Sequence, residues 1–375
     1  MRLLSWLRRH GADFRLSLRV TVAGLLTFAL AEEFHLAQGY WAVFTAVIVI
    51  QASVGGSLKA TFDRLVGTLG GAVYGAIVGL LIRHNDAPMM AAALALALAP
   101  LAFAAAVNVS FRIAPVTAVI VLLGASSQQS GLLESALDRV LEIGLGCLAG
   151  FTVSFTVLPA RAHGLLARAA GRSFGLLAEL LALFVARLLG ETDRRAAQEL
   201  QDRIRAALTR LETIAREAER ERGLRLTDDP EPEPLVRTTR RVRSDLVIIG
   251  RAAAGPLPEV VRGHLGPSLG ETGAAIETLL RDLGEALAAR RAAPSLDAVA
   301  AALDKFNGAM AELRRARLTQ DLPADETGRI FALGFALEEL RRDLDDLADR
   351  VGEFARPRRR WFQFDAAAAR HPDKS

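Results

Sequence analysis

One cysteine, Cys147, is all that this 375-residue chain contains, and it lies inside an apolar run. No disulfide within one chain and no thiolate metal site follows from it, so Cys147 reads as a small packing residue. Histidine is infrequent too. His10, His35, His84, His163, His264 and His371 are scattered, and no two stand four apart on one expected helix, so no metal site is indicated. A phosphate-cradling loop is missing as well: "GGSLKAT" (55–61) lacks the G-x-x-x-x-G-K-[ST] spacing, and direct coupling to ATP is not expected. Nothing in the chain gathers acids, bases and nucleophiles into a catalytic constellation. The expectation is a protein that is not an enzyme and needs no cofactor.

What is present is apolar. Hydrophobic residues make up 51% of the chain against 23% charged, and mean hydropathy is +0.25, a balance rare in a soluble domain. The average conceals a split. Up to Arg161 the chain is a series of Ala/Leu/Val/Gly runs, and beyond it Arg, Glu and Asp are dense among apolar residues at helical spacing. A formal charge of +4 and a pI near 9.8 raise the question of nucleic acid, but the placement of the cations fits a bilayer instead.

Six membrane helices are expected, at 16–31, 40–54, 65–82, 89–109, 113–125 and 140–158, forming a membrane domain over 1–160. Arg2, Arg8, Arg9, Arg15, Lys59, Arg64, Arg112, Arg161, Arg168 and Arg172 fall on one side if the N-terminus is cytoplasmic, leaving Arg83 and Arg139 opposite. Both termini are therefore expected to be cytoplasmic. The rival reading is a cleaved signal peptide ending at Ala29-Leu30-Ala31, which leaves five spans and runs against the charge asymmetry.

The pentapeptide "TAVIV" occurs at 45–49 and again at 117–121, each followed by Asp-Arg (Asp63-Arg64, Asp138-Arg139). Aligning Asp63 with Asp138 also matches Gly71 with Gly146, Gly75 with Gly150 and Val78 with Val153. Such matches arise by chance in apolar helices, but five in a row favour a degenerate duplication. Three helices per copy is an odd number, so the two copies run oppositely through the bilayer as a 3+3 inverted repeat.

Gly67, Gly71, Gly75 and Gly79, with Gly146 and Gly150 in the sixth span, strip helix faces of side chains. Close helix packing is the favoured reading, and a thin-walled substrate path is the sharper alternative. Polar residues within apolar spans are candidates for function: Arg19, Gln51, Ser53, Thr68, Tyr74, Asn108, Arg112, Glu142, Thr152 and Ser154. Arg19 and Arg112 stand near span ends, where snorkelling to the headgroups explains them. At 51–57 donors, acceptors and glycines interrupt an apolar run just before Lys59 and Arg64. Free backbone N–H groups beside two cations make an anion site, and an ordinary helix-ending turn is the competing reading. Glu142, Tyr74 and Asn108 are the candidates for a proton or polar relay.

"GYWAVFTAVIVIQASVGGSLKATFDRLVGTLGGAVYG" (39–75) resembles the signature of the fusaric acid resistance and aromatic acid exporter family: Tyr-Trp-Ala before an apolar helix, Gln-x-Ser at its end, Arg-x-x-Gly-Thr opening the next. The resemblance implies integral membrane transporters with six membrane helices and a cytoplasmic helical region, exporting aromatic or other organic acids. The plant aluminium-activated malate transporters, anion channels, are similar in plan. It also implies Tyr40 and Trp41 as an interfacial anchor, Gln51 and Ser53 as a substrate contact, and Arg64 and Thr68 as an entrance pair. Ala52 departs from the Gln-Pro-Ser of many members. Larger members carry the unit twice, and a homodimer would restore the second copy.

After Pro159 an all-α cytoplasmic bundle is expected over 161–355. Leu200, Ile204, Ala207, Leu211, Ile214 and Ala218 form one coiled-coil-like seam, and Ile330, Leu333, Leu337, Leu340, Leu344, Leu347, Val351 and Phe354 another. Packing within one chain and pairing between chains both fit. The stretch 176–189 reads as a buried helix too short to span, and 228–234 as an extended acidic, proline-rich linker. In the tail 356–375, Arg356, Arg358, Arg359 and Arg360 with Trp361 and Phe362 suit anionic lipid, or simply solvent.

The sequence thus points to an all-α membrane protein: a transporter for efflux of organic anions, working as a homo-oligomer, a dimer first. Gln51, Ser53, Lys59, Arg64 and Thr68 are the expected substrate contacts. An anion channel and a membrane-anchored interaction protein are the alternatives.

Overall fold

The computed structural model describes residues 11–82, 86–127, 132–191, 194–224 and 227–355. Within them the regular elements are all helical: α1 (Gly11–Glu33), α2 (Tyr40–Val49), α3 (Val54–Leu81), α4 (Ala87–Val107), α5 (Ala114–Ser127), α6 (Leu132–Thr156), α7 (Ala162–Leu188), α8 (Arg194–Gly223), α9 (Pro232–Ala252), α10 (Glu259–Ala289), α11 (Asp297–Arg315) and α12 (Ala324–Ala355), with a 3-10 turn (Val109–Phe111) before α5. They fall into two compact units, Met1–Ala162 and His163–Ser375. Arg2, Arg8, Arg9, Arg83 and the basic tail with Arg356, Arg358, Arg359 and Arg360 lie outside the described residues.

The first helix begins at Gly11 rather than 16 and the second ends at Val49 rather than 54, and the two largest differences are helix starts where charged residues are used inside the helix. The third helix starts at Val54 rather than 65. Ser53 is extended (φ −123°, ψ 161°) and its Oγ accepts from the Gly56 N–H at 2.9 Å, a side-chain cap that lets "GGSLKATFDR" continue as helix. Lys59 then pairs with Asp63 one turn on. The sixth helix starts at Leu132 rather than 140, because Arg139 and Glu142 pair with each other.

α1, α3, α4 and α7 are long and apolar enough to cross a bilayer. α2 and α5 have 10 and 14 residues, about 15 and 21 Å of helix, well short of the roughly 30 Å hydrocarbon layer. Each lays a small-residue face on a neighbouring helix, with Ala42 and Ala46, and Ala114 and Ala118, fully buried, while Phe44, Ile48 and Val116 are exposed. The expected short helix at 176–189 is the end of the 27-residue α7. That helix has the length and composition of a span, yet Phe174, Leu177, Leu181 and Leu188 are buried in the core of the second unit. Its apolar faces are turned to protein, which is how a central bundle helix reads.

The glycine stripe is filled by a neighbour. A Cβ at Gly71 would stand 2.3 Å from the Ala114 carbonyl oxygen and 2.8 Å from Thr117 Cβ. At Gly146 it would stand 2.3 Å from the Ala42 oxygen and 2.7 Å from Thr45 Cβ. Gly75 meets Ala118 and Gly150 meets Ala46 in the same way, Gly67 approaches the Ser110 carbonyl, and Gly79 is buried. So α3 lies on α5 and α6 lies on α2, with matched residues of the two TAVIV copies at both crossings.

In the second unit both seams are buried within the chain: Leu200, Ile204, Leu211 and Ile214 on α8, and every seam residue from Ile330 to Phe354 on α12. α7 and α10 cross at Gly171 and Gly284, where a Cβ on Gly171 would stand 2.8 Å from the Gly284 oxygen. Gly284→Val is expected to cost about 2–3 kcal/mol of stability, read as a lowered melting temperature of the solubilised chain. The acidic linker is not a solvated strap. Pro232 to Pro234 open α9, where proline suits the first turn, and Asp229 is buried. It takes Arg290 Nη1 at 3.0 Å and the Thr227 hydroxyl at 2.6 Å, with His163 Nδ1 at 3.6 Å.

On α9, burial followed by the neighbouring Asp343 carboxylate pushes Asp245 up to about 7. The folded state therefore holds a proton that the unfolded chain has released. This contribution to stability is present below the ordinary aspartate range near pH 4 and fades as pH rises through about 7. Asp245→Asn is expected to flatten that slope and to raise stability by about 1–3 kcal/mol on its alkaline side, as measured by denaturation across pH.

Candidate functional site

The site is built on α2. Its residues Trp41 and Thr45 lie one turn apart, and each meets an arginine from a different helix. Arg139 of α6 places its guanidinium 4.8 Å from the Trp41 ring centroid, a cation–π contact. Its Nη1 is 3.2 Å from Glu142 Oε2, and its Nη2 donates to Gln38 Oε1 at 2.8 Å. The other Glu142 oxygen accepts the Gln38 N–H at 2.9 Å. Arg139 is 4% and Glu142 1% exposed, so this is an ion pair closed away from solvent, although Arg139 Nε and Nη1 and Glu142 Oε2 make no hydrogen bond.

Arg64 of α3 has no such mate. At 8% exposure its Nη2 donates to Thr45 Oγ1 at 3.3 Å, and its Nε has no hydrogen-bond partner. Among the described residues no carboxylate pairs with it. The hydroxyl of Thr68, one turn along α3, is buried and also unpartnered, as is that of Thr61. Arginine keeps its charge under ordinary conditions, and a buried cation without a counter-ion is costly. With Asp63 aligned to Asp138, Arg64 falls on Arg139 and Gly67 on Glu142. The earlier of the two aligned stretches therefore has the cation and lacks the acid.

Arg19 does not snorkel. It is 1% exposed, donates through Nη2 to the Ala52 carbonyl at 3.3 Å, and so ties α1 to the break between α2 and α3. The break itself is closed on protein partners: Gln51 N–H donates to Ser57 Oγ at 2.8 Å, Val54 N–H to the Ala160 carbonyl at 3.2 Å, and Ser154 Oγ to Ser57 Oγ at 2.9 Å. With Gly56 N–H on Ser53, these backbone donors are not an open nest.

Comparison with known proteins bears on the same stretch. Residues 25–153, from the middle of α1 nearly to the end of α6, match the model of the fusaric acid resistance protein-like family. The chain is also similar to the uncharacterized transporter YdhK of Escherichia coli (strain K12) and to its namesake in Escherichia coli O157:H7, at 36% identity over 73 residues in each case. That match covers 20% of this chain and 11% of the relative, so the chain accounts for a small part of the length of these curated relatives. With its long apolar helices, the fusaric acid resistance protein-like region makes this a multi-pass membrane protein.

Within the fusaric acid resistance protein-like domain the expected contacts divide. Arg64 meets Thr45 in the interior, and Thr68 is buried one turn along α3 from Arg64. Lys59, partly exposed, is paired with Asp63, which also accepts from Ser110 Oγ at 2.7 Å. Gln51 is exposed and donates to the Ile48 carbonyl at 2.9 Å. Ser53 caps α3. Tyr74 donates to the Leu96 carbonyl at 3.3 Å, and the Asn108 side chain accepts from Ser110 N–H at 3.0 Å; neither is joined to Glu142. Sequence reasoning did not pick out Gln38, Thr45 or Thr61. Thr45 opens the first TAVIV copy, and its matched position in a repeat was the one available signal.

Proposed function

We propose that this protein is a secondary carrier that exports organic acid anions, aromatic acids among them, across a bacterial inner membrane, and that it works as a homo-oligomer with both termini in the cytoplasm. One observation carries the reading: Arg64, a buried cation with hydroxyls around it and no acid. A substrate carboxylate supplies the missing counter-charge, held by the guanidinium fork with Thr45 and Thr68 beside it. Lys59, at the partly exposed start of α3, attracts anions toward that interior, and Gln51 and Ser53 shape the turn that sets its entrance.

Alternating access comes from two oppositely oriented halves rocking about the crossings at Gly71 and Gly146. Support for that duplication is the repetition of one close approach with partners exchanged: α3 on α5 in one place, α6 on α2 in the other. Burial of Arg64 favours a carrier over a standing channel, since a ligand reaches it only when the halves part. Glu142 is the acid available for proton coupling.

Radiolabelled flux of a panel of aromatic and aliphatic acids in proteoliposomes, with and without an imposed proton gradient, tests the proposal. Saturable, carboxylate-dependent flux is expected. Unitary currents far above carrier turnover in planar bilayers would instead establish the channel, and absence of flux for every acid in the panel would leave the membrane unit as an anchor.

A further inference from the structure

Arg64 and Arg139 are matched positions of the repeat, and they touch α2 one turn apart. One is unpaired, and the other is held by Glu142, whose side chain occupies the place that a bound carboxylate would take. We infer that Arg139, with Gln38 and Trp41, is a second carboxylate station, and that Glu142 is its built-in occupant, giving way to a substrate carboxylate when it takes up a proton. This rests on the carboxylate reading of Arg64 given above.

The contacts around Glu142 make the exchange physically simple. Its carboxylate lies against two groups that a benzoate-sized ligand would equally need: the Arg139 guanidinium, an ion-pair contact at 3.2 Å, and the Gln38 N–H, which donates at 2.9 Å. Neutralising Glu142 removes one charge from a closed site and leaves Arg139 as exposed to charge imbalance as Arg64 already is. An incoming carboxylate restores the balance. One proton arrives from solvent, one anion enters, and no covalent bond is made or broken. The indole face of Trp41, already 4.8 Å from the guanidinium carbon, supplies a flat apolar wall that favours an aromatic body on the acid.

The charged and titratable groups facing Glu142 are Arg139 and Asp138 from its own helix, Tyr40 from α2 and, beyond Arg139, Arg64 from α3. α5 has no titratable residue, and the turn after α1 contributes Gln38.

The test uses the full chain in nanodiscs with Trp6→Phe and Trp361→Phe, which leaves Trp41 as its single indole, and benzoate as the probe. Benzoate is expected to change Trp41 emission in acidic buffer and to do so weakly in alkaline buffer. Glu142→Gln keeps an oxygen for the Gln38 N–H, and it is expected to tighten the Trp41-reported affinity in alkaline buffer about tenfold or more. Arg139→Lys is expected to abolish the emission change. The second station is overturned if Glu142→Gln leaves the Trp41-reported affinity unchanged, or if the wild-type response is the same at both pH values. Radiolabelled benzoate retained by wild type and lost in Arg64→Gln, measured in parallel, keeps the two readings apart. A silent Trp41 with that binding intact sinks only the second station, whereas absence of Arg64-dependent binding sinks the carboxylate reading itself.

Discussion

Arg64→Gln is expected to abolish transport while making the empty protein more stable. The guanidinium contributes to function as the partner of an anion, and truncating one side of a buried charge pair costs about 3 kcal/mol or more, at least about 100-fold in affinity. Without substrate the same guanidinium is a liability: it is buried, one of its nitrogens is unpartnered, and no acid among the described residues offsets it. Removing that charge is expected to raise stability by about 1–3 kcal/mol. The two effects have opposite signs, which a purely structural arginine would not produce. Lys59→Gln provides the contrast. Its ammonium is partly exposed and paired with Asp63, where an ion pair is worth less than about 1 kcal/mol, so flux is expected to fall only a few-fold. Thermal unfolding with and without benzoate, beside proteoliposome flux, reads both variants. If Arg64→Gln lowers stability and leaves flux intact, the anion site is wrong.

The second large effect is expected at the helix crossings. Gly71→Ala and Gly146→Ala each place a methyl group 2.3 Å from a carbonyl oxygen, Ala114 in one case and Ala42 in the other. Neither obstacle is a flexible side chain that can swing away. A backbone must shift, and a loss of about 3 kcal/mol or more is expected for each, seen as poor yield and early unfolding in detergent. Gly144→Ala is the control. It sits in the same helix as Gly146 with open space around it, and alanine there is expected to be neutral or to stabilise by about 0.5–1 kcal/mol. The two damaging changes are expected to agree within about 1 kcal/mol, because an alanine carbonyl and a threonine Cβ meet the glycine at matching distances in both crossings. A tolerated Gly146→Ala beside a damaging Gly71→Ala would break that equivalence.

How much of this was legible in the chain differs from residue to residue. The helical character of the whole, the apolar first part and the buried seams of α8 and α12 follow from hydrophobic spacing, since a stripe repeating every three or four residues has to be buried somewhere. The glycines announced close packing, though not against which helix. The helix starts at Val54 and Leu132 were hidden because polar residues next to a membrane run look like loop. Here they are capped by Ser53 or paired as Lys59–Asp63 and Arg139–Glu142, and the charge is absorbed inside the helix.

Residue type and spacing alone determined that the chain is helical, that its first part is built for lipid, and that one motif is written twice. They marked Arg64 and Glu142 as polar groups in apolar surroundings. Only the tertiary structure decided that Glu142 belongs to Arg139, that Arg64 is left without an acid, and that the donors of the 51–57 break are spent on protein. The reason is physical: a charge in low dielectric is defined by its neighbours in space, and those neighbours, Thr45 and Gln38 among them, come from helices that the order of the chain keeps apart.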